Sequence, residues 1–312
     1  MSFALVFPGQ GSQSVGMMNA YGDLPVIRQT FAEASDALGE DLWQMVSEGP
    51  AERLSLTVNT QPLMLTAGVA VYRAWQEAGG PAPEVVAGHS LGEYSALVAA
   101  EALRFADAVP LVRLRAQAMQ QAVPAGQGAM AALMGLELDA VNAACAEAAQ
   151  GEVVEAANLN APGQIVIAGS AAAVQRAADL AKAKGAKRAV LLPVSAPFHC
   201  ALMKPAAERL KARLAEIPVQ IPTIAVLNNV DVAVVSDPEA IRDALVRQAF
   251  SPVRWIESVQ AMAARGVGQV FECGPGKVLA GMTKRICADL QGAAIADKAG
   301  LDQALASVGG GA

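Results

Sequence analysis

The pentapeptide Gly88-His89-Ser90-Leu91-Gly92 limits what this chain can fold into more than any other stretch. It has the form Gly-x-Ser-x-Gly, in which small residues let a serine stand on a sharp turn between a strand and a helix with its hydroxyl exposed. Its flanks give it weight. Upstream, Glu84-Val85-Val86-Ala87 is a short apolar run suited to a buried parallel strand, entered through Pro81 and Pro83. Downstream, residues 91–103 carry Leu91, Tyr94, Leu97, Val98 and Leu103 among alanines, as an amphipathic helix would. Strand, turn and helix in that order place the serine on a parallel α/β sheet.

The remaining elements extend that pattern. Residues 3–7 form an apolar strand running into Pro8-Gly9-Gln10-Gly11-Ser12-Gln13, a loop whose glycines allow close backbone approach to a ligand. It is neither a dinucleotide fingerprint, since Ser14 stands where the last glycine belongs, nor a P-loop. Helices are expected over 26–46, 63–77 and 105–122, with a polar break at 47–56. On 105–122, Leu111, Leu114, Ala118 and Gln121 follow one face, with Arg115 and Met119 on its neighbour.

Pro124-Ala125-Gly126-Gln127-Gly128 reads as a hinge, and the rhythm then changes. Strand 129–136, helix 139–149, strands 153–158 and 164–169, helix 171–184 and strand 187–194 give βαββαβ, the ferredoxin-like order. The expected fold is therefore an α/β-hydrolase-like core with a parallel sheet, residues 1–126 and 196–312, carrying an inserted ferredoxin-like small subdomain over 127–195. After it come helices over 201–217, 238–248, 255–265 and 277–290, strands over 224–228 and 270–273, and a fraying end at 309–312.

Composition limits the partners. A formal charge of −6 disfavours general nucleic-acid binding. No run of about 18 residues is free of polar and breaking residues, so no membrane span is expected, and Met1 to Phe7 lacks a basic leader. Cys145, Cys200, Cys273 and Cys287 contain no Cys-x-x-Cys pair and read as reduced thiols of a cytoplasmic protein. With two histidines in the chain, no metal site is expected.

A serine hydroxyl needs a base to take its proton. The candidates are His89 and His199. A residue beside the nucleophile on an elbow usually points away, so His199, in the loop Ser195-Ala196-Pro197-Phe198-His199, is the better base. Asp107, Asp139 and Asp179 lie between serine and histidine but fit helix caps or solvated charge, and a carbonyl can orient the imidazole instead. Acyl transfer also needs oxyanion donors. The Leu91 amide is one, and the Gly9-Gln10-Gly11 loop can give another.

Phe7-Pro8-Gly9-Gln10-Gly11-Ser12-Gln13, Gly88-His89-Ser90-Leu91-Gly92-Glu93, Arg115, His199 and Gly274-Pro275-Gly276 resemble, in order and spacing, the malonyl-CoA:acyl carrier protein transacylases of fatty-acid synthesis. The resemblance spans nearly the whole chain. It implies a ping-pong transfer of malonyl from coenzyme A through an ester on Ser90 to the phosphopantetheine thiol of acyl carrier protein, with His199 as general base and acid and no permanently bound cofactor. It assigns the oxyanion donors to the amides of Gln10 and Leu91, the His199-orienting carbonyl to Gln248, and the malonyl carboxylate to Arg115, whose guanidinium fork suits a carboxylate. From the helix alone, Arg113 is an equal candidate. The resemblance also places Gln61, His89, Met119, Asn158, Asn160 and Phe198 around the pocket. Phe198 directly before the histidine is similar to malonyl-selective acyltransferases of polyketide synthesis, where bulk crowds an α-methyl branch.

An acidic enzyme receiving an acidic carrier needs a local basic patch. Lys182, Lys184, Lys187 and Arg188 are candidates, as are Lys277, Lys284 and Arg285. The absence of coiled-coil heptads points to a monomer. Two other functions fit parts of the pattern: a serine esterase or thioesterase on the same elbow, and a non-catalytic carrier-binding module.

Overall fold

The computed structural model describes residues 2–309. Its strands are β1 Phe3–Phe7, β2 Val85–Gly88, β3 Gly128–Met134, β4 Val154–Ala161, β5 Gln164–Ser170, β6 Arg188–Leu191, β7 Ala225–Leu227, β8 Gln269–Cys273 and β9 Gln291–Ile295. They form a five-stranded sheet in the order β7-β2-β1-β8-β9, every pair parallel, and a four-stranded antiparallel sheet in the order β4-β5-β3-β6.

Burial of β1 on both faces explains its unbroken apolar sequence. Phe3, Leu5 and Phe7 point to one side, into a core with helices Pro25–Leu38, Thr57–Glu77 and Phe105–Gln121. Ala4 and Val6 point to the other, against Trp255, Val259, Met262 and Leu279 of helices Trp255–Ala264 and Val278–Ile286. Register pairs Phe7 with Gly88, so the glycine loop after β1 and the elbow after β2 leave the same edge of the sheet.

The antiparallel sheet obeys the period of two in the same way. Ala131, Leu133, Ile165 and Ile167 pack under helices Leu138–Ala149 and Ala171–Ala183. Met130, Val166 and Ala168 face the opposite way, toward Cys200 and Phe198. The βαββαβ order closes with β3 between β5 and β6, the ferredoxin-like arrangement.

Several element boundaries differ from those expected. The stretch 26–46 divides into Pro25–Leu38 and Leu42–Glu48, because Gly39 turns left-handed at φ 65° and Asp41 caps the second helix through a 2.8 Å bond from the Gln44 amide. A short helix, Ala51–Leu54, occupies the polar break. The helix expected from residue 63 begins at Thr57, with Pro62 inside it. The elbow helix stops at Ala99, and Glu101 then turns left-handed at φ 60°. On Phe105–Gln121, the inward face carries Leu111, Arg115, Ala118 and Met119, whereas Gln121 is exposed and accepts a bond from Arg209. The helix expected over 277–290 ends at Ile286, making room for β9, and Lys298–Gly309 adds a final helix. The fraying expected at the terminus falls, from residue 310 onward, outside the described residues.

Candidate active site

Contact distances explain the glycines of the elbow. A Cβ on Gly88 would lie 1.8 Å from the carbonyl carbon of Gly92, and one on Gly92 would lie 2.0 Å from the carbonyl oxygen of Phe7. With both absent, strand and helix close tightly enough to hold Ser90 at φ 53°, a left-handed conformation that costs an ordinary residue about 1–2 kcal/mol. Asn229, just beyond β7, splints this turn: its Oδ1 accepts from the Ser90 amide at 2.8 Å and its Nδ2 donates to the Gly88 carbonyl at 2.7 Å.

Ser90 Oγ lies 2.6 Å from His199 Nε2. On the far side of the ring, Nδ1 lies 2.9 Å from the backbone carbonyl of Gln248. A carbonyl only accepts, so Nδ1 carries the proton and Nε2 presents its lone pair to the serine hydroxyl. His199 is buried and is itself left-handed, at φ 60°. Burial, with the nearby Arg115 charge, pushes its pKa down to about 3, so the ring is neutral at pH 7. Asp107, Asp139 and Asp179 take no part: Asp107 pairs with Arg104, Asp139 stands in the first turn of its helix, and Asp179 meets Lys182 and Gln175.

Arg115 reaches the site from the buried face of its helix and is 2% exposed. Its Nη1 donates to Gln61 Oε1 at 2.9 Å, and its Nη2 to Gln248 Oε1 at 2.9 Å and Ser90 Oγ at 3.2 Å. The guanidinium lies over the Tyr94 ring, 5.3 Å from its centre. Burial lowers its pKa, yet a guanidinium stays charged. Among the described residues it has no carboxylate within ion-pair distance, so a buried cation beside the serine is satisfied only by neutral groups. Arg113, by contrast, is bound through both Nη atoms to Glu40, at 2.9 and 3.0 Å.

These groups open on a cavity of about 140 Å³. Gln10, Gln61, His89, Leu91, Met119, Asn158 and Phe198 line it with Ser90, Arg115 and His199. Gln10 is held by a 3.3 Å bond from its side chain to Thr57. Among the described residues, the amides of Gln10 and Leu91 have no protein acceptor. Asn160 does not line the cavity. A register shift in β4 between Leu159 and Ala161 turns it aside, and its Oδ1 lies 2.8 Å from His89 Nε2.

Sequence reasoning missed the cavity wall formed by Met130, Leu192 and Val194, which alternation along the antiparallel strands could have suggested. It also missed Asn229, although polar residues just after a parallel strand are a recurrent site signal. The side chain of Gln248 and the buried carboxyl of Glu93 left no sequence signal of their own.

Comparison with known proteins identifies the family. A family model described as the acyl transferase domain matches residues 4–303. The malonyl CoA-acyl carrier protein transacylase of Escherichia coli K12 is 56% identical over 304 residues, covering 97% of this chain and 98% of that protein. A crystal structure of an acyl-carrier-protein S-malonyltransferase from Burkholderia pseudomallei superposes with a TM-score of 0.96 at 63% identity, covering 98% of this chain and 99% of that one. A malonyl-transacylase solved in complex with its type II polyketide synthase acyl-carrier protein gives a TM-score of 0.97 at 54% identity, over 98% of this chain and all of that one. The chain belongs to the acyl transferase family, among its malonyl-CoA:acyl carrier protein transacylases.

Proposed function

We propose that this chain moves malonyl from coenzyme A to acyl carrier protein through an ester on Ser90. The observation that carries the reading is Arg115, a buried cation in hydrogen-bond contact with the serine hydroxyl and without an acid partner among the described residues. Such a charge favours an acyl group that brings its own carboxylate and penalises a plain acyl chain.

His199 Nε2 takes the Ser90 proton as Oγ attacks the thioester carbonyl. The amides of Gln10 and Leu91 hold the oxyanion. Collapse breaks the carbon–sulfur bond, and His199 returns its proton to the departing coenzyme A thiolate. In the second half, His199 deprotonates the phosphopantetheine thiol, whose sulfur attacks the ester, and the proton then goes back to Ser90 Oγ. The Gln248 carbonyl keeps Nδ1 protonated throughout. No resident cofactor or metal is invoked.

Intact mass after mixing with malonyl-CoA tests the reading. One malonyl group should appear on the chain, be absent from Ser90→Ala, and leave on addition of holo-acyl carrier protein. A chain that never acquires mass is a non-catalytic module, and an adduct lost to water before the carrier arrives marks a hydrolase.

We further infer two subdomains, 127–195 and the remainder, with the carrier docking at the edge strand β6. Lys187 and Arg188 are exposed and lack ion pairs among the described residues, whereas Lys182 meets Asp179, Lys184 meets Glu147 and Arg285 donates to Gln164. Lys277 and Lys284 are also exposed but sit on another element. Val190 and Leu191, half exposed, continue β6 toward Leu192 and Val194 of the cavity wall. Charge reversal at Lys187 and Arg188 should raise KM for the carrier and leave acylation by malonyl-CoA unchanged; equal effects on both half-reactions exclude docking there. No described helix is long and apolar enough to cross a membrane. A cytoplasmic monomer is the state we propose, checked by sedimentation.

A further inference from the structure

Beneath Ser90 lies a polar layer, on the side away from the cavity, that the reaction scheme leaves unused. Glu93, in the first turn of helix Gly92–Ala99, is 2% exposed. Its Oε2 accepts from the Asn229 amide and from Gln248 Nε2, both at 2.9 Å. Gln248 Nε2 also donates to the Ser90 carbonyl at 2.9 Å, while Gln248 Oε1 accepts from Arg115 Nη2.

A carboxamide has two faces of opposite polarity, and its sense is set by its neighbours. If the Gln248 amide turned over, Nε2 would confront the Arg115 guanidinium and Oε1 would confront both the Glu93 carboxylate and the Ser90 carbonyl. All three contacts would then set like against like. Burial raises the Glu93 pKa to about 7, and the bonds that its Oε2 receives from Gln248 Nε2 and the Asn229 amide oppose that shift. In the ionised form the carboxylate is the strongest acceptor of the set and does most to fix the sense of the amide.

We propose that Glu93 is a positioning residue for acyl selection: by orienting the Gln248 carboxamide it holds the Arg115 guanidinium against Ser90, where the acyl carboxylate must be received. The proposal rests on the reading of Arg115 as the carboxylate-binding group. Glu93 touches neither the cavity nor the reacting atoms and acts through Gln248.

The test compares kcat/KM for malonyl-CoA with that for acetyl-CoA in the full chain, alongside Ser90 labelling by a fluorophosphonate, which needs serine and histidine but no acyl carboxylate. Glu93→Ala should lower the malonyl-to-acetyl ratio by about tenfold or more, chiefly through KM for malonyl-CoA, with labelling kept within about threefold. Glu93→Gln, which offers a carbonyl oxygen to the same two donors, should restore the ratio to within about threefold of the parent. Gln248→Met keeps the main-chain carbonyl for His199 and removes only the carboxamide, so it should reproduce the loss. The double variant should fall no further than the larger single one.

Equal losses for malonyl and acetyl in Glu93→Ala, or additive losses in the double variant, overturn the proposal. Should Glu93→Ala not fold, Gln248→Met decides, and an unchanged ratio there is equally fatal. An Arg115→Ala enzyme that keeps its malonyl preference removes the underlying reading of Arg115. A ratio that falls in Arg115→Ala but not in Glu93→Ala removes only the role of Glu93.

Discussion

His199 and Arg115 act on each other through charge. A protonated His199 cannot serve as a base, and protonation would set a second positive charge beside the guanidinium in a buried site. The ring pKa accordingly falls from 6.5 to about 3, with burial the larger cause and Arg115 the next. Since the lowered group is active when neutral, activity is present above the lowered value and lost only as pH falls toward it. Ser90 labelling by a fluorophosphonate, which needs serine and histidine but no acyl carboxylate, should therefore stay level from pH 8 to about 5, through the region where an unperturbed histidine titrates. An inflection near 6.5 in the parent chain contradicts this account. Replacing Arg115 with Met should move the acid limb upward. Arg115→Ala should lower kcat/KM for malonyl-CoA on the order of 10²-fold, because truncating one partner of a buried charge pair costs about 2–5 kcal/mol, and acetyl transfer should gain relative to malonyl.

At the scale of elements, the elbow depends on a residue that does not belong to it. Asn229 satisfies the Ser90 amide and the Gly88 carbonyl together, and both are shielded by the closely packed strand and helix. Asn229→Ala leaves these backbone groups unpaired at about 1–3 kcal/mol each, so the urea midpoint should fall and Ser90 acylation should slow with it. A variant with parental stability and acylation rate contradicts the splint. Legibility in the sequence followed the same division between local and distant causes. Strands β1 and β2, the elbow and the βαββαβ stretch stand out because apolar period and glycine placement are local signals. The start of Thr57–Glu77 was hidden because Thr57, Asn59, Thr60 and Gln61 are polar yet buried, with Thr60 and Asn59 bonded to the carbonyls of Leu54 and Arg53. Strand β9, Gln291-Gly292-Ala293-Ala294-Ile295, is mostly exposed at a sheet edge and has little hydrophobic pattern to read. Glu93 and Asn229 meet across 136 positions, a contact that only the folded chain creates.

Across the whole molecule, the acyl cavity is a space between two sheets. The parallel sheet supplies Ser90 and Gln10 from loops at one edge, and the antiparallel sheet supplies Met130 and Asn158 from the face away from its helices. Backbone bonds of 2.9 Å from Leu159 to Val253 and from Val253 to Ala157 join β4 to the segment just before helix Trp255–Ala264, and the contact between His89 and Asn160 ties the elbow to the same strand. Cavity size is therefore set by how the small sheet is seated, and at about 140 Å³ it suits a short acyl group. Met130, 4% exposed, forms part of the cavity wall. Met130→Ala removes side-chain volume from the cavity wall and leaves Ser90, His199 and Arg115 in place. The ratio of methylmalonyl to malonyl transfer should rise about tenfold, the scale on which a pocket discriminates one methyl group. Because truncating a buried methionine costs about 2–5 kcal/mol, the comparison belongs well below the unfolding temperature of the variant. Unchanged selectivity in a folded Met130→Ala chain means that the limit on acyl size lies with other lining residues, such as Met119 and Phe198.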